Sequence, residues 1–137
     1  MLGYARKIGP VNSCLAELWS LRDGLILCVQ AQVQALIVEM DAKALVDAFS
    51  NQTKSNVVNS SLMEDCRHLA SQISQVSFRH VYREANMCAD QLAKLGASME
   101  NDFVVFSSPP VCIVPFVEAD CRGQYVNRLC PVSVSPV

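Results

Sequence analysis

No CxxC pair occurs in this sequence, and its two histidines, His68 and His80, stand at no zinc-like spacing from any of the seven cysteines. A structural zinc module is therefore not expected. The cysteine count is odd and the residues are scattered from Cys14 to Cys130, so no disulfide framework can be read. Free, mostly buried thiols in a reducing compartment are expected instead. The opening stretch MLGYARKIGP lacks the apolar core of a secretory signal, and no apolar run approaches the roughly 18 residues of a membrane span. An intracellular chain, cytoplasmic or nuclear, is the expectation. Without a secretory route, the triplets Asn51-Gln52-Thr53 and Asn59-Ser60-Ser61 carry no glycosylation message. A basic surplus is missing too: 11 Lys and Arg stand against 13 Asp and Glu, for a net charge of −2. This argues against a dedicated duplex-coating protein and leaves nucleic-acid contact to a local patch.

What the chain does have is apolar content, 51% of 137 residues. That is enough for one domain that buries roughly two-thirds of its unfolded surface. Residues 2–9 (LGYARKIG) read as a short strand closed by Gly9-Pro10. Asn12 or Ser13 then caps a long helix, CLAELWSLRDGLILCVQAQ, with Leu15, Leu18, Trp19, Leu25, Ile26 and Val29 at helical spacing. ALIVEM is rich in branched residues and reads as a buried strand ending at Asp41. A helix AKALVDAF, a polar link SNQTKSN and a second amphipathic helix SLMEDCRHLASQI come next.

Residues 76–83 alternate Val76, Phe78, His80 and Tyr82 against Ser77, Arg79, Val81 and Arg83, a strand signal. The chain turns at Glu84-Ala85 and enters a last helix from Asn86 to about Met99. The small residues Cys88, Ala89 and Ala93 of that helix suit close packing. Five of the six prolines lie beyond Asp102, where no helical period shows. The expected order is β-α-β-α-α-β-α, an α/β arrangement, with domain limits at 1–100 and a Pro-rich tail at 101–137.

Three acids stand out by position. Glu17 is one turn inside the long helix, Asp41 comes directly after the branched strand, and Asp90 is in the first turn of the last helix. Functional groups of open α/β sheets gather at the carboxyl ends of strands, and paired Mg²⁺ ions need hard oxygen ligands drawn from several elements. A plainer explanation exists for each acid alone: helix dipoles favour early carboxylates, and Asp is a common cap or turn residue.

The wording around the acids goes further. AELWSLRDGL around Glu17, LIVEMDAKALVD around Asp41 and RHVYREANMCADQLAKLG around Asp90 resemble the type 1 ribonuclease H family. They are most similar to plant RNase H-like domains of non-LTR retrotransposon origin. The resemblance covers about residues 2–99, and DFVVFSSPP is similar to the segment after this domain in plant members. It implies a mixed sheet flanked by helices and hydrolysis of the RNA strand of RNA–DNA hybrids. It also implies Mg²⁺ or Mn²⁺ held by four acids, with Glu17 as the second, Asp41 the third and Asp90 the fourth.

The family's first acid sits in an Asp-Gly motif on a strand upstream of LGYARKIG, and no such motif is present here. The resemblance therefore implies weakened metal binding, exposed sheet edges and little activity from this chain alone. The family also carries a histidine in a mobile loop before the last acid. Here the REAN connection is short, and His80 reads as a structural strand residue. Arg79, Arg83 and Lys94 form the candidate basic strip for phosphates. Arg22 and Asp23 read as a helix surface pair, and Trp19 as core. The alternatives are a non-catalytic nucleic-acid-binding or protein-interaction module from a domesticated retroelement, and a fragment without function of its own.

Overall fold

The computed structural model describes residues 2–8, 13–50 and 61–122. Five sequence expectations lie outside those residues: the Gly9-Pro10 stop, the cap at Asn12, the polar link beyond Ser50, the first glycosylation triplet and the end of the tail with Cys130. The chain divides into two compact units, 10–80 and the combination of 1–9 with 81–137. Both are mixed α/β, with small sheets flanked by helices, in keeping with an RNase H-like fold.

The 10–80 unit opens with α1 (Ser13–Gln30). The helix stops in a left-handed residue, Gln32, at φ 57°. Gln32 N donates to Val29 O (3.1 Å) and Val33 N to Cys28 O (3.0 Å), which satisfies two carbonyls of the last turn. That pattern usually takes glycine; the helix ends two residues earlier than its apolar spacing predicts. Strands β2 (Ala35–Met40) and β3 (Gln75–His80) pair in parallel, with Val38 opposite Phe78 and Met40 opposite His80. Helices α2 (Lys43–Ser50) and α3 (Ser61–Ser71) make the crossover between them.

The core follows the apolar pattern. Leu18, Leu21 and Leu25 of α1, Leu45 and Val46 of α2, Leu62 and Cys66 of α3, Met40 and Ile73 form one buried cluster, with Leu36, Val38, Val76 and Phe78 packed on it. Each buried Leu contributes roughly 1.5–3 kcal/mol by removal from water. Phe49 stacks on Phe78 with centroids 4.8 Å apart. Trp19 packs against this cluster, as expected for a core residue, with the Arg22 guanidinium 5.6 Å from its ring centroid. The Arg22–Asp23 surface pair is overturned. Asp23 is 3% exposed, and Arg22 reaches Asp65 of α3 at 3.8 Å instead. Adjacent helix positions diverge by about 100°, so one can face inward and the other outward.

In the other unit, β1 (Gly3–Arg6) pairs antiparallel with β4 (Phe103–Phe106), Gly3 opposite Phe106 and Arg6 opposite Phe103. After β3, a 3-10 turn at Arg83–Ala85 leads through Asn86 into α4 (Met87–Ser98), in line with the expected turn and helix. The expected strand reach to Arg83 is shortened, because Val81 is buried while Tyr82 and Arg83 are exposed on the turn. Close packing of α4 runs through Gly96 rather than through Ala89 and Ala93, which are not buried. A Cβ at Gly96 would sit 2.6 Å from the Arg6 carbonyl oxygen.

A further correction concerns the segment after Asp102. It supplies β4 and a helix, α5 (Val114–Cys121), where no helical period was expected. Pro115 lies in the first turn of α5, where a missing N–H costs nothing. The segment's apolar residues do not gather into a stripe, which hides the helix from pattern reading. Among the described residues, no helix is long and apolar enough to cross a membrane.

Candidate functional site

Asp41 comes directly after β2 and precedes α2, half-buried at the carboxyl end of the parallel pair. It does not cap α2. Val46 N and Leu45 N both donate to Ala42 O (3.2 and 3.0 Å), which places Ala42 at the N-cap and Asp41 one residue outside. His80 ends β3 opposite Met40, so it shares that carboxyl edge with Asp41, the residue after Met40. The strand assignment of His80 agrees with the sequence expectation.

Glu17 is half-buried in the second turn of α1, in the same unit. Its charge is felt locally: burial first, and the Glu17 carboxylate second, push the Cys14 thiol above its ordinary value. Asp90, in the other unit, stands in the first turn of α4, with its N–H bonded to Asn86 O (3.1 Å). Its carboxylate meets Lys94 one turn on at 3.2 Å, with the side chains 26% and 67% exposed. Acid before base at this spacing stabilises a helix by a few tenths of a kcal/mol.

The three basic candidates divide between the units. Arg79 on β3 is bound in an ion pair with Glu39 of β2, directly opposite in register. Its Nε is buried without a hydrogen-bond partner. Arg83 is exposed on the 3-10 turn, and Lys94 is exposed on α4 beside Asp90. Sequence reasoning did not foresee the Glu39–Arg79 pair. The signal was available: ALIVEM and QVSFRH have the same length, and parallel register then sets Glu39 against Arg79.

By type, the carboxylates of Glu17, Asp41 and Asp90 are the hard oxygen donors that Mg²⁺ or Mn²⁺ takes. Glu17 and Asp41 belong to the 10–80 unit and Asp90 to the other. Among the described residues, no three His, Cys, Asp or Glu side chains gather closely enough to hold an ion. What the geometry does provide is an acidic strand end in one unit and an acid-base pair at a helix start in the other.

Comparison with known proteins adds the context. A family model described as reverse transcriptase-like matches residues 1–96, which include all three acids and all three bases. An Arabidopsis thaliana protein, provisionally named a ribonuclease H protein, is 28% identical over 122 residues, 89% of this chain. The chain spans about a fifth (20%) of the length of that relative. No solved structure matches significantly.

Proposed function

Because this chain belongs to the reverse transcriptase-like family of RNase H-like domains, we propose that it engages RNA–DNA hybrids and carries part of a metal-dependent RNA-cleaving site. The observation that supports the reading most is the position of Asp41, outside α2's cap and at the carboxyl end of β2, within the matched region. Glu17 and Asp90 are assigned as companion carboxylates, with Mg²⁺ or Mn²⁺ as the ions they would take. In such chemistry the ions activate a water and stabilise the leaving oxygen. No step is assigned to the individual carboxylates. The reading is hybrid binding first, with cleavage dependent on convergence of the acids.

Arg83, exposed on the turn before α4, is assigned a backbone-phosphate contact, since phosphates position the strand and 2′-hydroxyls distinguish RNA. Lys94 and Arg79 are secondary contacts, each engaged with a carboxylate in this structure.

The test is fluorescence anisotropy of a labelled RNA–DNA hybrid, beside a cleavage assay with Mg²⁺ or Mn²⁺. Saturable binding that Arg83→Ala weakens, with the salt slope reduced by about one, supports the binding reading. Cleavage abolished by Asp41→Asn or Glu17→Gln supports the catalytic one. A folded chain that does not bind hybrid overturns both.

One observation favours a second reading, a non-catalytic interaction module. Arg79 and Lys94 each pair with a carboxylate of the chain itself. In that case none of the acid substitutions alters hybrid affinity.

A further inference from the structure

The unit formed by 1–9 and 81–137 holds a cavity of about 190 Å³ walled by β1, α4, β4 and α5. Leu92, Phe106, Ile113 and Val117 give it an apolar body. Asp120, exposed in the last turn of α5, adds a carboxylate to the wall. No Lys, Arg or His is among the described residues that line it. The proposed nucleic-acid reading uses none of these side chains.

Gly3 of β1 keeps part of that space open. Glycine inside a strand weakens it, and often marks close approach by a ligand or by another backbone. A Cβ at Gly3 would meet Leu92 Cδ1 at 3.7 Å and Phe106 Cβ at 3.9 Å, ordinary contacts with two other wall residues. Among the described residues, no backbone crowds that position as the Arg6 carbonyl crowds Gly96. Packing therefore does not demand glycine here, and the missing side chain leaves room beside Leu92 and Phe106.

We propose that this cavity is a binding site for a small organic cation, a primary ammonium carried on a compact hydrocarbon body. The body lies among Leu92, Phe106 and Val117, and the ammonium at the Asp120 carboxylate. Size agrees: a cavity of roughly 150 Å³ lined by Leu, Ile and Phe holds a benzene ring. About 190 Å³ leaves space for a ring with a short ammonium arm. Charge sets the sign, because a carboxylate on the wall attracts an ammonium and repels a carboxylate or phosphate. An ammonium is purely a donor, and both the Asp120 carboxylate and the Ser108 hydroxyl on the wall are acceptors.

The test is an amide NMR titration of the full chain with benzylamine at neutral pH, where it is benzylammonium. Benzyl alcohol and benzoate serve as its neutral and anionic counterparts. The expected result is saturable shifts at the lining residues, with benzylammonium bound up to about fivefold more tightly than the alcohol, the range of an exposed ion pair. Benzoate should bind weakest. Asp120→Asn, at an exposed position, should fold normally and bring benzylammonium down to the affinity of the alcohol. Gly3→Val suits a strand and fills the space, so it should weaken both ligands. Gly3→Ala, which adds only the two contacts above, serves the same purpose if the valine variant does not fold. Benzylamine should also raise the melting temperature of the native chain. The proposal is overturned if benzylammonium gives no saturable shifts at these residues, or if benzoate binds as tightly. It is equally overturned if Asp120→Asn keeps the preference for the cation, or if filling at Gly3 leaves the affinity unchanged.

Discussion

Glu39 and Arg79 face each other across the parallel strands β2 and β3, and the charges that looked separate in the sequence form one ion pair. Both side chains are 32% exposed, between a surface bridge and a buried one. Their mutual attraction outweighs the cost of ordering them because the strand backbones already fix the approach. Truncating either partner should cost about 1–2 kcal/mol, between the surface and buried limits. A double-mutant cycle of Glu39→Gln and Arg79→Met, read by urea unfolding, should return a coupling near 1 kcal/mol. A coupling of zero would release Arg79 for phosphate contact.

Gln32 holds a left-handed conformation that costs a side-chain residue roughly 1–2 kcal/mol relative to glycine. Gln32→Gly should therefore stabilise the chain, by up to about 1 kcal/mol once glycine's extra unfolded-state freedom is deducted. Its hydrogen bonds from Gln32 N and Val33 N would be retained. Thermal melting of the two proteins decides the sign.

Gly96 behaves in the opposite way. Helix propensity alone favours Gly96→Ala by about 1 kcal/mol. The added methyl would meet the Arg6 carbonyl oxygen at 2.6 Å, however, and backbone cannot swing aside as a side chain can. Net destabilisation of about 1–3 kcal/mol is expected from the overpacking. A stable Ala variant would mean that α4 can slide on β1.

The Cys66 thiol is wholly buried, donates to the Leu18 carbonyl at 3.7 Å, and burial pushes its pKa up to about 11 from 9.0. The thiol ionises earlier when unfolded, so stability is complete below pH 9.0 and falls as pH rises towards about 11. The maximum slope is about 1.4 kcal/mol per pH unit, for a total loss of roughly 3 kcal/mol. Denaturant unfolding between pH 8 and 11 should show the fall, and Cys66→Ala should make it shallower, whatever its own stability.

The element order through α4 is readable in the residues because each element there carries its own period. Leu18 and Leu25 lie on one helix face, and Val76 and Phe78 on one strand face. Helix α5 escapes that reading because Pro115 looks like a breaker and its apolar residues form no stripe. Asp23 escapes it because charge suggests solvent, while its depth depends on α3 packing from far along the chain. The acids Glu17, Asp41 and Asp90 are legible as motifs, since motif wording is local. Their convergence is a matter of tertiary placement, which no local pattern encodes. The Glu39–Arg79 pair lies between these cases, visible only once strand register is known.

The pairing of β1 with β4 has a bearing on how the chain acquires its shape. Gly3 finds Phe106 only after roughly a hundred intervening residues have been made. On the ribosome, the 10–80 unit emerges with all of its own strands and helices already in hand. It can condense while β1 still waits for its partner. Synthesis thus leaves β1 without this partner until β4 is made, and that edge is where premature association of nascent chains would begin.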